Sequence, residues 1–398
     1  MKMRIPAMMA LFTILAIILF RCDGSVFTEG GAGDGEAIPE YIVGAHYYPW
    51  YDEGHHWDDP PYESTHLLDP YLGEYDCGDP AVAEQQIDWA ADYGIDLFTL
   101  EWWGPNTNGV ANLNNGFFQA SNLSRIRHCI FYDTMIRMSP LAGGGWSLNI
   151  DFSREDIRET FVGDIIGIAE TYFDHPQYFR ISGRPVMWAY WTLGYTGDFA
   201  GAMAEVRSEL LARGYDLYLI GDFPLVDLKP ALIPSFDAVS VYCQWQKFLM
   251  LPFDTSSVGH LSEVFELIFK HARERVTQIP VAGRDDGAMV DFHPGVIPQF
   301  DDSWMTGFPR VLNVPVHASS REDVVSMFQV AKDSSEPAYD GNLHISWITS
   351  FNEWHETTTI EPTIVDGGPD YPCQGPANYG FDFLDAVREV FHPESSSN

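Results

Sequence analysis

Two glutamates lie three positions apart near the C-terminal end of the sequence, directly after an apolar run. The run, residues 344–351, is short and rich in β-branched and aromatic side chains, which predicts a buried strand. Glu353 and Glu356 would point to opposite faces if the strand continued, so a shared site requires the chain to turn after Phe351. Paired carboxylates in such a turn suit cleavage of a sugar acetal, because one group protonates the leaving oxygen while the other acts at the sugar. The alternative is a solvated acidic turn without a chemical role.

Length and composition allow one large α/β domain. The chain has 398 residues, of which 45% are hydrophobic, and this suits a single barrel with loop insertions. Aromatic residues make up 14% of the chain, and many stand beside polar residues, as in residues 47–51 and 101–103. Aromatic rings beside polar residues are suited to stacking on the faces of sugar rings.

The charge balance excludes some partners. The formal net charge is −35, with only 22 basic residues. Such a field repels phosphate backbones and anionic membrane surfaces, so we expect neither nucleic acid nor lipid headgroups as ligands.

Residues 1–22 have the pattern of an export signal. Two basic residues precede an apolar run, residues 5–20, that is short for a membrane span. Cys22 is compatible with a bacterial lipoprotein, although Arg21 stands where that signal has a small residue. Secretion, a retained anchor and lipidation therefore stay open. We expect an exported protein, in the cell envelope or secreted, with a flexible tether over residues 23–40 and membrane attachment only through the N-terminus.

The cysteines give no sign of a metal or redox site. They lie at positions 22, 77, 129, 243 and 373. None of the spacings is Cys-x-x-Cys, and we predict no cofactor. An exported chain could pair some of them, and buried thiols at Cys129 and Cys243 are the simpler interpretation.

Predicted strands and helices alternate along the chain. Asp79, Pro80 and Gly94 mark the ends of the first helix, and Ser153 and Ser320 are predicted caps of later helices. The predicted strands are residues 41–51, 95–100, 128–132, 185–191, 217–222, 238–243, 296–300 and 344–351. Residues 279–282 are an alternative for the seventh strand, but residues 296–300 are favoured because two aspartates follow them.

This alternation predicts a (β/α)8 TIM barrel, as one domain over residues 41–392, followed by a disordered tail over residues 393–398. Barrel enzymes carry their chemistry at the C-terminal ends of the strands. Polar and aromatic residues at the ends of strands one, two, six, seven and eight would then surround one open face. Glu353 and Glu356 belong to that group.

Two separated motifs resemble those of a known family. Residues 44–51 (GAHYYPWY), residues 350–356 (SFNEWHE) and residues 360–362 (IEP) are similar to glycoside hydrolase family 99, the endo-α-mannosidase and mannanase barrels. The likeness runs in order from about residue 41 to residue 392.

The resemblance implies a retaining glycosidase in which no side chain attacks the sugar. The substrate's own 2-hydroxyl, deprotonated by a carboxylate, closes a 1,2-anhydro intermediate. Carried over to this chain, Glu353 would be that base, and Glu356 would protonate the leaving oxygen and later activate water. Thr357 and Thr359 stand where the family usually has Gly and Gln, so the subsite beside the acid is open to a different sugar.

Further residues near the predicted strand ends are candidates for substrate contact. They are His46, Tyr47, Tyr48, Trp50, Trp102, Trp103, Tyr242, Asp301, Asn352 and His355. The aromatic rings could stack on sugars or belong to the core, and His355 could hold a neighbouring carboxylate or be merely packed.

Other acidic and histidine-rich segments carry weaker expectations. Asp301 with Asp302 could bind hydroxyls or a metal, and His55-His56 with Asp58-Asp59 reads better as a surface loop than as a cation site. Glu361 is expected to anchor its loop rather than to act as a third catalyst. No metal site is predicted.

Three functions stay open from the sequence. The leading hypothesis is an exported retaining glycosidase that cuts α-linked, mannose-like glycans internally. Residues 296–303 resemble the related WbsX-like glycosyltransferase barrels of polysaccharide biosynthesis, but an export signal argues against use of cytoplasmic nucleotide sugars. The third is a glycan-binding lipoprotein without turnover, and the intact glutamate pair argues against it.

Overall fold

The computed structural model describes residues 41–53, 55–57, 67–143, 149–243, 258–302, 316–318, 320–335, 343–364 and 378–393. The predicted leader, tether and tail from residue 394 lie outside the described residues, as do Asp58, Asp59, Cys22 and Cys373. Residues 39–398 group into one unit.

Parallel strands form the centre of the described chain. They are β1 (Tyr41–Tyr47), β2 (Leu97–Trp102), β3 (Arg127–Tyr132), β4 (Arg184–Ala189), β5 (Tyr218–Asp222), β6 (Ala238–Ser240), β7 in two parts (Asp291–Phe292 and Gly295–Val296) and β8 (His344–Ile348). Nearly every residue in them is buried, as expected for parallel strands covered on both sides. Each strand pairs in parallel with the next, and β8 pairs with β1.

The seventh strand closes the ring although a proline interrupts it. Its first part pairs with β6 and its second part with β8. Between the parts, the His293 N–H donates to Val239 O at 3.0 Å, and Pro294 O accepts from the Trp347 N–H at 2.9 Å. The predicted (β/α)8 barrel is therefore confirmed.

The predicted bounds of the seventh strand, residues 296–300, are wrong. Pairing ends at Val296, and Phe300 instead bridges Val316 in antiparallel fashion. The alternative, residues 279–282, is also wrong, because that segment bonds to residues 288–290 and to Pro234 and not to a strand of the barrel. Two residues are too few to show the alternation of a strand. The proline between the two fragments also argues against a strand in the sequence.

Helices cover the outside of the barrel. They are α1 (Pro80–Asp92), α2 (Asn108–Asn115), α3 (Thr134–Met138), α4 (Glu155–Tyr172), α5 (Phe199–Ala212), α6 (Val258–Val276), α7 (Arg321–Ser334) and α8 (Asp382–Phe391). Between β5 and β6 the described chain has only a 3-10 turn, Ile233–Ser235. None of the helices in these described segments combines the length and apolarity needed to cross a membrane.

The predicted helix caps are confirmed at two of three positions. Asp79 caps α1 by accepting from the Ala81 N–H, and Ser320 caps α7 by accepting from the Asp323 N–H. Ser153 is not a cap, because α4 begins one residue later than predicted, with Arg154 at the N-cap position and no side-chain cap bond.

Large rings fill the barrel interior. The ring centroids of His46 and Trp188 are 4.9 Å apart, and those of Trp188 and Trp347 are 5.1 Å apart. Gly44 makes room for this layer, because a Cβ there would collide with ring carbons of Trp347. The interior is packed, so a substrate site has to lie at an end of the barrel. Cys77, Cys129 and Cys243 are buried thiols.

Candidate active site

The chain turns sharply after β8 and forms a closed loop, which we call the acidic loop (residues 350–361). The Ser350 N–H donates to Thr358 O at 3.0 Å, and the Glu361 N–H donates to Phe351 O at 2.8 Å. These bonds join the two ends of the loop at the C-terminal end of β8. The turn that a shared site requires is therefore present.

Asn352 fastens the acidic loop to the end of β1. Its Oδ1 accepts from the Tyr48 N–H at 2.7 Å, and its Nδ2 donates to Tyr48 O at 2.9 Å. The oxygen and the nitrogen of the amide both bond to the backbone of Tyr48. We therefore do not expect this side chain to make the predicted contact with substrate. Asn352 instead aligns two segments that carry site residues.

Glu361 anchors the other end of the acidic loop. Its Oε1 accepts from Gln86 Nε2 at 2.8 Å and its Oε2 from the Tyr75 hydroxyl at 2.7 Å. Burial raises the pKa of Glu361 to about 7. The Tyr47 hydroxyl donates to Gln86 Oε1 at 2.7 Å and extends the same network toward α1. This geometry matches a structural anchor.

Loss of this anchor should destabilise the protein. Glu361→Ala leaves the Gln86 amide and the Tyr75 hydroxyl buried without their acceptor, so we expect the free energy of unfolding to fall by about 2–5 kcal/mol. Chemical denaturation measures it. The exposed residue Glu159 offers a control, and Glu159→Ala should change the value by less than about 0.5 kcal/mol. Equal stabilities of the two variants would contradict the anchoring role.

Glu353 is held by hydrogen bonds within the acidic loop. Its Oε1 accepts from the His355 N–H at 2.8 Å and lies 3.5 Å from the Tyr51 hydroxyl. His355 Nδ1 lies 3.5 Å from the same oxygen, and His355 Nε2 is 2.6 Å from the carbonyl oxygen of His56. The side chain of Glu353 is fixed and almost completely buried. His355 positions this carboxyl.

Glu356 faces a pair of tyrosines. Its Oε2 accepts from the Tyr242 hydroxyl at 3.2 Å, and the Tyr48 hydroxyl lies 2.5 Å from the Tyr242 hydroxyl. Glu356 is half-buried, whereas Glu353 is buried. Burial, followed by the charges of Glu353 and Glu356, raises the pKa of Tyr48, so this ring lies near both carboxyls.

Burial and neighbouring negative charges raise the pKa values of both carboxyls. Burial, followed by the charge of Glu356, raises the pKa of Glu353 well above its ordinary value. Burial, followed by the charge of Asp302, raises the pKa of Glu356 to about 7. The pKa values of neighbouring Glu101 and Asp133 are raised as well, chiefly by burial. Two close carboxyls that share one proton can supply an acid and a base at the same bond.

Three of the other predicted contact residues are buried, although the His46 ring centroid is 5.3 Å from that of Tyr242. His46 points into the barrel interior below the site, bonded to Thr99, and burial lowers its pKa to about 3, so it is neutral. Tyr47 points outward to Gln86, and Trp102 packs against Tyr132 with centroids 5.3 Å apart. These three positions belong to the core.

Trp50 belongs to an aromatic cluster with His56 and Trp103. Its ring stacks on both, with centroid distances of 4.8 Å and 5.1 Å, and the His56 and Trp103 centroids are 6.1 Å apart, so these two rings do not lie on opposite faces of Trp50. Trp50 and Trp103 are both half-buried, and their contact with a sugar stays a prediction. Asp301 lies at the site border, where its Oδ2 is 3.1 Å from His317 Nε2 and its N–H donates to Glu356 O at 2.8 Å.

The structure adds residues that the sequence interpretation did not select. Glu101, Asp133 and Asp222 stand at or just after the ends of β2, β3 and β5. Asp222 accepts from the backbone N–H groups of Trp191 and Tyr242, at 3.2 Å and 2.8 Å. The strand-end rule applied to every strand would have found all three carboxylates.

No metal centre is visible in the described segments, where no group of three or more His, Cys, Asp or Glu side chains is arranged to hold an ion. Asp58 and Asp59 of the histidine-rich segment lie outside the described residues, and His55 Nδ1 contacts the Asp52 carboxylate. The candidate site is thus built from carboxyl and tyrosine groups.

Comparison with known proteins finds fold similarity without close sequence similarity. No protein-family model and no curated protein matches the chain. The structure of the GH99 endo-α-mannosidase from Bacteroides thetaiotaomicron matches with a TM-score of 0.58 and 19% identity, over 91% of this chain and 100% of that chain. A structure described as a glycoside hydrolase-like protein matches with a TM-score of 0.61 and 17% identity, over 91% of this chain and 97% of that chain.

The order and geometry of the barrel, the acidic loop after its last strand and these two structural matches agree with each other. The resemblance seen in the two sequence motifs is thereby confirmed at the level of the fold. The chain has the (β/α)8 barrel fold of the glycoside hydrolase family 99 endo-α-mannosidase structures.

Proposed function

We propose that the protein is a retaining glycosidase that cleaves a carbohydrate substrate with Glu353 as base and Glu356 as acid. The observation that carries the proposal is the pair of carboxyls on the acidic loop, Glu353 buried and Glu356 half-buried, at the end of a barrel where glycosidases keep their chemistry. The resemblance of residues 350–356 to the family motif assigns the two roles.

In the first step the substrate supplies its own nucleophile. Glu353 takes the proton of the 2-hydroxyl, and O2 bonds to C1 while the C1–O bond to the leaving group breaks. Glu356 gives its proton to the leaving oxygen. The product is a 1,2-anhydro sugar, with Glu353 protonated and Glu356 ionised.

The second step reverses the proton movements. Glu356 takes a proton from water as the water oxygen bonds to C1 and the C1–O2 bond breaks. Glu353 returns its proton to O2. Each step inverts C1, so the product keeps the configuration of the substrate, and both carboxyls regain their starting states.

The substrate class follows from the same chemistry. Ring closure needs O2 and the leaving group on opposite faces of the sugar, as in an α-mannoside, where both substituents are axial. This requirement, with the likeness to endo-α-mannosidase structures, supports an α-linked, mannose-like glycan cut at internal bonds. The basic residues and apolar run at the start of the sequence support export, either by secretion or through a lipid anchor at Cys22.

A product screen tests the function. The purified protein is incubated with α-linked manno-oligosaccharides, and proton NMR follows the first-formed anomer. We expect internal cleavage with the α-anomer released first. Binding without product after long incubation, consumption of nucleotide sugars in place of hydrolysis, or first release of the β-anomer would contradict the proposal.

The pH dependence follows from the pKa values of the pair. Glu356 has to be protonated to act as acid, and Glu353 has to be ionised to act as base. Burial and neighbouring charges raise the pKa of Glu356 to about 7 and the pKa of Glu353 well above its ordinary value of 4.5, so both limbs of the bell-shaped kcat/KM profile should lie above pH 4.5, one of them near pH 7. Steady-state rates between about pH 4 and pH 9 measure both limbs.

Two substitutions that each remove one negative charge test this prediction further. Asp302→Asn removes a charge that, after burial, raises the pKa of Glu356, so the limb near pH 7 should move to lower pH. Asp285→Asn makes the same charge change on an exposed loop between α6 and β7, at the opposite end of the barrel, and should leave the limb in place. A limb that shifts equally in both variants would contradict the assignment.

A further inference from the structure

Two short segments form an exposed ribbon next to the acidic loop, and the proposed reaction has no use for it. Residues 69–71 pair in antiparallel fashion with residues 362–364. In this pairing the Tyr71 N–H donates to Pro362 O at 2.9 Å. We call the two segments the tyrosine ribbon. Because Pro362 directly follows the acidic loop, the ribbon is continuous with the segment that carries both glutamates.

One face of the tyrosine ribbon is open to solvent. Side chains alternate between the two faces of an extended pair, so Asp69 and Tyr71 lie on the face opposite to Pro70. Asp69 and Tyr71 are exposed and Pro70 is buried, and across the pair Ile364 is exposed and Thr363 is buried. Seven large apolar side chains are exposed in the described segments, and three of them lie on this ribbon or two residues before it: Leu67, Tyr71 and Ile364. Apolar exposure is thus concentrated here, which is typical of a binding surface.

The Tyr71 ring is 54% exposed, yet it is held in place. It packs edge-to-face with the rings of Trp89 and Phe381, at centroid distances of 5.8 Å and 5.5 Å. Its backbone belongs to a tight turn that the Gly73 N–H closes onto Pro70 O at 2.9 Å. A ligand that stacks on this ring therefore pays little conformational entropy, because the ring is already ordered.

A polar pair stands on the same face as the ring. Asp69 Oδ2 accepts from Asn378 Nδ2 at 2.9 Å, and Asn378 Oδ1 accepts from the Asp69 N–H at 2.8 Å. The carboxylate is fixed by these bonds and keeps acceptor sites, since its two oxygens offer about four lone-pair sites. A sugar matches this surface, because its C–H face packs on the ring while its hydroxyls donate to the carboxylate. An apolar partner would bury the carboxylate without a donor, and the net charge of −35 repels an anionic one.

The tyrosine ribbon is separate from the carboxyl pair. Trp89, against which the Tyr71 ring packs, is the tenth residue of α1, so it lies about 13 Å along the helix axis from the first residue. In a (β/α)8 barrel α1 begins at the end where the strands terminate, which is the end that carries the acidic loop. The ring therefore stands on the outer wall of the barrel, away from its mouth.

We propose that the tyrosine ribbon is a second glycan-binding site, which holds a neutral stretch of the polymer whose internal bond is cut at the acidic loop. This inference rests on the proposed function. One sugar stacks on Tyr71 and donates a hydroxyl to Asp69. A chain held there has a raised effective concentration at the acidic loop, so long substrates gain affinity and short ones do not.

A comparison of long and short substrates tests the second site. We measure kcat/KM of the wild type, Tyr71→Ala and Tyr71→Phe on a neutral α-linked mannan and on a short α-linked manno-oligosaccharide. Tyr71→Ala should lose about 3- to 10-fold on the mannan, the value of one aromatic stacking contact, and less than about 2-fold on the oligosaccharide. Tyr71→Phe keeps the ring and should match the wild type on both. An equal loss on both substrates, or no loss on the mannan, would overturn the proposal.

An exposed apolar residue elsewhere supplies the control. Leu211 is 60% exposed on α5. Leu211→Ala should leave both rates within about 2-fold of the wild type, as surface substitutions usually do. A loss on the mannan as large as that of Tyr71→Ala would show a general effect of surface apolarity and overturn the proposal.

A binding measurement separates failure of this inference from failure of the proposed function. Affinity electrophoresis in gels that contain the mannan gives the Kd of the wild type and of Tyr71→Ala, each also with Glu356→Gln to stop hydrolysis. Weaker binding by Tyr71→Ala, with a wild type that hydrolyses nothing, would keep the second site and reject the reaction. Hydrolysis with equal mannan affinities would keep the reaction and reject the second site.

Sedimentation tests the competing occupant, a second copy of the chain. We expect the wild type and Tyr71→Ala to have the same mass in solution. A wild-type dimer that Tyr71→Ala dissociates would show that the ribbon is an interface between copies, and would overturn the proposal.

Discussion

Glu356→Gln should lower kcat/KM on an α-mannoside by about 1,000-fold while the oligosaccharide still binds. The amide keeps the shape of the side chain and its contact with the Tyr242 hydroxyl, but it has no proton to give. Loss of general acid catalysis is worth about 100- to 10,000-fold, and this residue acts in both steps. Glycan release followed by mass spectrometry gives the rate, and calorimetry gives the Kd.

Chemical rescue identifies the role of the lost group. A glycosyl fluoride has a leaving group that departs without protonation, and azide opens the anhydro ring without a general base. Glu356→Gln with both should therefore form the α-glycosyl azide at a substantial rate. Glu159→Gln, an exposed control, should behave as the wild type. Near-normal turnover of the unactivated substrate by Glu356→Gln would contradict the assignment of the acid.

Glu353→Gln should lose at least about 1,000-fold on every substrate, whatever its leaving group. An amide cannot take the proton of the 2-hydroxyl, so the anhydro ring does not form even from a glycosyl fluoride. Rates on fluoride and unactivated substrates, with and without azide, measure this loss. The contrast with Glu356→Gln, which the fluoride and azide rescue, separates the base from the acid.

One product would overturn the role of Glu353. If this carboxylate attacked C1 directly, a smaller residue would leave room for azide on the opposite face of the sugar. Glu353→Ala would then convert the α-fluoride into the β-glycosyl azide. Formation of that product at a substantial rate would show a covalent glycosyl-enzyme mechanism.

The predictability of the fold depended on how long each repeating pattern ran. Strands of five or more residues with continuous apolar runs were predicted close to their observed positions, as for β5 and β8. The split strand β7 was missed because its pairing depends on neighbours far away in sequence. Its two fragments are recognisable only once β6 and β8 stand on either side.

The sequence indicates which candidate residues lie together where sequence neighbours share a loop, as for Glu353 and Glu356, but it is a poor guide where strand parity decides. His46 and Tyr47 are adjacent in a strand, so they face opposite sides, and only one of them can point into the barrel. The same parity turns Glu101 inward and Trp102 outward, whereas the sequence interpretation selected Trp102 and not Glu101. The Trp50 ring stacks on that of His56, a contact that no periodic pattern encodes.

The measurement that bears most directly on the mechanism uses the unmodified protein and a substrate without its 2-hydroxyl. A 2-deoxy α-glycoside leaves both carboxyls in place and removes the internal nucleophile. We predict that the analogue binds with a Kd within about tenfold of the parent and that its kcat falls by at least about 1,000-fold, with no glycosyl-enzyme visible by mass spectrometry. Turnover of the 2-deoxy substrate at a rate near that of the parent would contradict the account.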